Sequence, residues 1–147
     1  MERKPVQPLE LYPLQHTVGA RISDLDQYGH LNAIRIGHLY EDARAQFYRT
    51  AFGAGSGITF VVAQITIRYL REVRWPGDLR IGTGVISLGR SSFTTIQGLF
   101  DAQEGCAGVC ETVTVIVDRG AAAPLGDRAR EALQALAMPH ADARLPS

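Results

Sequence analysis

The sequence predicts an α+β fold in which one long antiparallel β-sheet wraps around a central α-helix. Three observations carry this expectation. Residues 33–52 have the apolar spacing of an amphipathic helix. Four later segments alternate with a period of two and are joined by links too short for crossover helices, so they should pair antiparallel. Apolar residues make up 46% of the 147-residue chain, enough at this length for one buried core. A single apolar helix and a single sheet must then bury each other.

Residues 1–13 carry three prolines and no period, so they read as an extended arm or a frayed end. Residues 16–22 alternate and predict a short strand. Residues 23–32 are polar, contain Gly29 and read as a loop. In the helix, Ile36, Tyr40, Ala43, Phe47 and Ala51 recur at steps of three to four, and Ile34, Leu39 and Tyr48 widen the stripe. This helix should be buried on more than one side. Asn32 is a good N-cap and Gly53 suits the C-terminus.

Residues 53–57 are Gly/Ser-rich but lack the Lys-Ser/Thr ending of a phosphate-binding loop, so they read as a connection or an active-site lid. Next, Val61, Ala63, Ile65, Ile67 and Tyr69 form one strand face, with Gln64, Thr66 and Arg68 on the other. Residues 75–78 (Trp-Pro-Gly-Asp) turn the chain. Strands are expected over residues 79–88, 92–103 and 106–118, the last with Val109, Val113, Val115 and Val117 on one face. Leu125, Ala129, Ala132, Leu133 and Leu136 predict a final amphipathic helix, and the tail from Pro139 reads as loose. The expected organisation is an arm (1–13), one domain (14–138) and a tail (139–147), without repeats.

Composition excludes several classes. Lys plus Arg and Asp plus Glu both number 15, which argues against a general nucleic-acid binder. Cys106 and Cys110 are the only cysteines, too few for a disulfide framework, and they read as small apolar residues on one strand face. No metal site is expected: His30 and His38 lie eight positions apart and nothing fixes them as a pair with Asp24 and Asp26. There is neither a signal-peptide pattern nor a long apolar run, so a cytoplasmic protein is expected.

The chemistry concentrates in Ser23-Asp24-Leu25-Asp26-Gln27-Tyr28-Gly29-His30-Leu31-Asn32 and in Glu41-Asp42-Ala43-Arg44. Aspartates before a helix usually bond local backbone. Here, however, the helix start also offers unpaired N–H groups and the positive end of a dipole, which can polarise a carbonyl beside a carboxylate.

These segments resemble the hotdog-fold thioesterases of the 4-hydroxybenzoyl-CoA and acyl-CoA/acyl-ACP thioesterase type. Members carry Asp-x-Asp-x-x-Gly-His-(Val/Leu)-Asn before the central helix and often Glu-x-Ala-Arg within it. Asp24, Asp26, Gly29, His30, Leu31, Asn32, Glu41, Ala43 and Arg44 match. Tyr69-Leu70-Arg71, Pro76-Gly77-Asp78 and Gly89-Arg90-Ser91-Ser92 extend the similarity over roughly residues 17–118. Ala33 and Ile36 depart from the family's common second Asn and pocket aromatic, which implies a differently shaped acyl pocket.

The resemblance implies a hotdog fold and hydrolysis of acyl-CoA or acyl-ACP thioesters to free acid and thiol. It makes Asp26 the general base or nucleophile and the Ala33 amide the oxyanion donor. His30 would orient the Asp26 loop or the thioester carbonyl, against a plain loop histidine. Asn32 reads first as the N-cap, and Asp24 as a structural loop residue. Glu41 is a second catalytic candidate, because some hotdog enzymes use a helix Glu. The plainer reading gives it an ion pair with Arg44 or a solvated face. Among the arginines on strand ends and turns, Arg71 and Arg90 are the candidates for the CoA phosphates. No cofactor is implied beyond the CoA of the substrate. A homodimer or homotetramer is implied, with sheets paired edge to edge and the active site between subunits. Two alternatives stand beside this. One is a hotdog dehydratase or hydratase, which usually spaces its Asp and His five apart, whereas Asp26 and His30 are four apart. The other is a non-catalytic acyl-thioester-binding module.

Overall fold

The computed structural model describes residues 6–73, 75–102 and 105–139. Its elements are β1 (Leu14–Val18), α1 (Ala33–Phe52), β2 (Phe60–Tyr69), β3 (Leu79–Leu88), β4 (Ser92–Phe100), β5 (Cys106–Asp118), β6 (Ala121–Ala122) and α2 (Asp127–Ala135). The strands pair antiparallel in the order β1-β3-β4-β5-β2, and β6 adds to the end of β5. This is the expected hotdog architecture: the sheet curls around α1, and β2 forms one edge.

α1 occupies the predicted span because both ends are chemically specified. The Asn32 side chain accepts the Ile34 N–H at 2.8 Å. At the other end Gly53 adopts φ 77°, a conformation that costs glycine little. The buried face of α1 comprises Ile36, Leu39, Tyr40, Ala43, Arg44, Phe47 and Ala51. Its first half packs with Leu31, Ile81, Leu99 and Cys110. Its second half packs with Val85, Phe93 and Ile116, and Leu125, Ala129 and Leu133 of the α2 region close that end. Ile34, expected to widen the buried stripe, is 73% exposed beside the uncovered edge of the sheet.

The sheet surface beneath α1 is partly polar. Thr83, Thr95, Gln97, Thr112 and Thr114 are fully buried there together with Arg44. Gln97 donates to the Tyr40 carbonyl at 3.1 Å and to Thr83 at 3.2 Å. Arg44 donates to Thr112 at 3.3 Å and to Gln97 at 3.5 Å, so an ion pair with Glu41 does not form. Glu41 lies on the solvated side of the helix, while Arg44 shares the inward side with Tyr40 and Phe47.

Bulges correct two readings of strand faces. β2 is irregular between Val62 and Gln64. The extra residue puts Val62, opposite Thr114, on the same face as Ile65, opposite Thr112, and sends Val61 to the outer face with Gln64. A similar shift opposite Leu99 and Phe100 separates the cysteines. Cys110 joins the central core, whereas Cys106 packs against the outer cluster of Tyr12, Ile96, Phe100 and Met138.

That outer cluster also revises the chain ends. Residues 9–12 are not a frayed arm: Leu9–Leu11 forms a 3-10 turn, and Tyr12 is 3% exposed. Tyr12 and Met138 lie in a trench cleared by Gly82, Gly84 and Gly98. A Cβ on Gly82 would collide with the Tyr12 ring. Gly82→Ala should therefore displace Tyr12 and destabilise the fold by about 1–3 kcal/mol, read as a lowered urea midpoint with an unchanged slope. An unchanged midpoint would show that Tyr12 contributes nothing to the fold. Residues 1–5 and the tail from 140 lie outside the described residues.

Candidate active site

The segment before α1 folds back on itself around Asp26. Its N–H donates to the His30 carbonyl at 2.7 Å, and its carbonyl accepts from Gly29 at 3.1 Å. Gly29 takes φ 79° to close the turn. The Asp26 carboxylate is held by the same turn: Oδ1 accepts the N–H groups of Tyr28 at 2.8 Å and His30 at 3.0 Å. Among the described residues Oδ2 has no hydrogen-bond donor. The donated His30 and Tyr28 amides favour the ionised form and hold this carboxyl below the usual carboxylate range. A 13C titration of the Asp26 carboxyl should therefore show a midpoint below that of an ordinary aspartate. Because the folded value is depressed, the ionised carboxylate stabilises the fold above the unfolded value, and this is lost as pH falls through the folded one. A midpoint at or above the ordinary value would contradict the clamp.

The start of α1 faces the same space. Asn32 caps Ile34, and its carbonyl takes the Ile36 N–H at 3.0 Å. The Ala33 N–H, at the first helical position, donates to no acceptor among the described residues. Asp26, His30, Leu31, Ala33 and Ile36 line one wall of a cleft of about 310 Å³, and residues 69–73 line the other. Two contacts span it: Tyr69 Oη donates to the Ala33 carbonyl at 3.4 Å, and His30 Nε2 lies 3.0 Å from Glu72 Oε2. A carboxylate, an unused helix-end amide and apolar walls thus meet in one cleft, the parts needed to attack a polarised carbonyl.

The other singled-out residues fall as follows. Asp24 is structural, as read: Oδ2 accepts the Arg21 N–H at 2.7 Å and lies 3.2 Å from Arg35 Nε. Glu41 does not line this cleft. Arg71 lines it, but its guanidinium grips Asp101 through two nitrogens, at 2.7 and 2.9 Å, and also reaches the Gly105 carbonyl. That pairing occupies the donor fork a phosphate would need. Arg90 is exposed on the β3–β4 turn, next to the chain entering α2, at the opposite end of the sheet from Asp26. A larger cleft of about 530 Å³ opens there between residues 56–59, the end of β5 and the start of α2. Among the described residues no group of three His, Cys, Asp or Glu is placed to hold a metal ion. Among the described residues no helix is long and apolar enough to cross a membrane. Sequence reasoning missed Glu72 and Tyr69 as cleft residues. The Tyr69-Leu70-Arg71 motif contains the one and adjoins the other, but only the fold brings β2 against the start of α1.

A helix cradled in a curled antiparallel sheet, with an acidic turn at its N-terminus, defines the hotdog class. The chain belongs to the thioesterase-like superfamily, whose family profile matches residues 20–137. It is similar to a thioesterase of Thermus thermophilus solved with coenzyme A and zinc, at 30% identity and TM-score 0.78, over 86% of this chain and 96% of that one. A protein of Pseudomonas aeruginosa strain PAO1 superposes with TM-score 0.79 at 26% identity, over 92% and 99% of the two chains. YbaW of Escherichia coli, described as a probable thioesterase, does so with TM-score 0.69 at 26% identity, over 83% and 97%. Among functionally curated proteins, none matches this sequence closely.

Proposed function

We propose that this protein hydrolyses acyl thioesters of coenzyme A, or of an acyl carrier protein, to free acid and thiol. The observation that carries the reading is the Asp26 carboxylate, with one oxygen clamped and the other without a donor among the described residues, in the same cleft as the Ala33 amide at the start of α1. The thioester carbonyl accepts the Ala33 N–H at the positive end of α1, which stabilises the oxyanion as attack proceeds. Along one route Asp26 removes a proton from water, the hydroxyl adds to the carbonyl carbon, the C–S bond breaks and the thiolate takes the proton. Along the other Asp26 attacks the carbonyl carbon directly, the C–S bond breaks as the thiolate leaves and takes up a proton, and water then hydrolyses the resulting anhydride. In 18O-water under single-turnover conditions, 18O in Asp26 would identify the second route, with water attacking the anhydride at the Asp26 carboxyl carbon.

The site is completed by a second copy. β2 is an uncovered edge, and the apolar side chains beside it are open: Val62 is 42% exposed, Ile65 46% and Tyr69 53%. Such an edge invites pairing. Antiparallel pairing of two β2 strands about their middle sets Phe60 of one copy against Tyr69 of the other. The second copy's residues 56–59 and the end of its β5 then lie beside the Asp26 cleft. α1 has 20 residues and is ~30 Å long, so Arg90 of the same chain is too distant from Asp26. Across the dimer the second copy's Arg90 is the better placed of the two candidate arginines, and it is free to meet the CoA phosphates. The CoA bound in the Thermus relative agrees with this substrate class.

A panel of acetyl-, octanoyl-, palmitoyl- and benzoyl-CoA with a thiol-trapping dye tests the function. Thiol release with at least one of them is expected. Calorimetric binding without thiol release would identify a binding module, and hydration of an enoyl-CoA in its place would identify a hydratase.

A further inference from the structure

We infer that Glu72 is a positioning residue of this site, fixing the His30 imidazole and through it the Asp26 turn. This rests on the thioesterase reading and assigns a role to a residue outside the helix-start motif. Glu72 Oε2 lies 3.0 Å from His30 Nε2, across the cleft from Asp26. His30 is the residue whose backbone clamps Asp26 from both sides, accepting its N–H and donating to its Oδ1. The Glu72 backbone is itself tied down. Its carbonyl accepts Arg71 Nη1 at 3.1 Å, and the same guanidinium is locked on Asp101, whose side chain is fully buried. A continuous set of contacts thus runs from the sheet through Arg71 and Glu72 to His30 and Asp26. It gives Arg71 an anchoring role in place of phosphate binding.

The carboxylate accepts from Nε2, so the neutral imidazole carries its proton on Nε2 and leaves Nδ1 as an acceptor. The pair is exposed, with side chains 40% and 69% accessible, so its contribution to stability is small and its effect should appear in catalysis.

The test compares wild type, Glu72→Gln, His30→Gln and the double variant. It measures kcat and KM on whichever of the four CoA esters turns over fastest, and 15N shifts of the His30 imidazole at about pH 9, where an ordinary imidazole is neutral. The wild-type spectrum should show a single Nε2–H tautomer, and Glu72→Gln should mix the two. Glu72→Gln should lower kcat about fivefold with KM unchanged, and should lower it no further in the His30→Gln background. An unchanged kcat, an effect on KM alone, or an equal loss in both backgrounds would overturn the assignment. Absence of thiol release by wild type from all four esters and from an acyl carrier protein thioester would instead defeat the thioesterase reading, and the imidazole spectrum would still decide whether Glu72 holds His30.

Discussion

Asp26→Asn should leave the protein folded and able to bind an acyl-CoA while lowering hydrolysis about 10²- to 10⁴-fold, the usual contribution of a positioned base. The fold tolerates the change because an Asn Oδ1 can accept the same Tyr28 and His30 amides. What disappears is the charge, and with it the capacity to take a proton from water or to attack carbon. Steady-state kinetics with calorimetric binding would show the pattern as a fall in kcat at nearly constant affinity. A variant with wild-type kcat would remove Asp26 from the mechanism, and one that neither folds nor binds would make the turn a structural element.

Ile65→Lys should produce a monomer with hydrolysis reduced about 100-fold or more. Ile65 sits in the middle of β2 on the α1 side, 46% exposed, where antiparallel pairing brings two copies closest. A lysine there places a charge where two apolar strips would meet, a device by which natural edge strands resist pairing. Light scattering reports the mass and thiol release the activity. Because Ile65 does not line the Asp26 cleft, a loss of activity must come through the lost partner, by way of the residues it supplies. A monomer with full activity would show that one chain makes the whole site. An undisturbed dimer would place the interface away from β2.

The elements set by local chemistry were legible in the sequence. α1 falls on the predicted span because its apolar period, Asn32 and Gly53 all point to the same limits. β3 and β5 also match their predicted spans, bounded by glycine-containing turns. Legibility failed where one residue changed meaning through tertiary contact. A single bulged residue in β2 moved Val61 and Val62 to opposite faces, and alternation alone cannot show that. Arg44 read as an ion-pair partner for Glu41 because nothing local reveals the buried Thr112 and Gln97 side chains that meet its guanidinium. Gly82 and Gly98, which admit Tyr12, and Gly84, which admits Met138, lie on β3 and β4, remote in sequence from the side chains they accommodate.

The same contrast holds within the site. Asp26, Asn32 and Ala33 are neighbours in sequence, so the motif located them together. Glu72 lies 42 positions beyond His30 and meets it only because β2 returns along α1. Arg71 carries the right charge for phosphate, but its assignment changes once the buried Asp101 carboxylate is seen against it.

The most direct test of the carboxylate-and-amide site is a crystal structure of Asp26→Asn with an intact acyl-CoA. The thioester oxygen should lie about 2.7–3.1 Å from the Ala33 nitrogen, with the carbonyl carbon facing residue 26. A thioester bound in another cleft, or seated here with its carbonyl turned away from α1, would contradict the proposed chemistry.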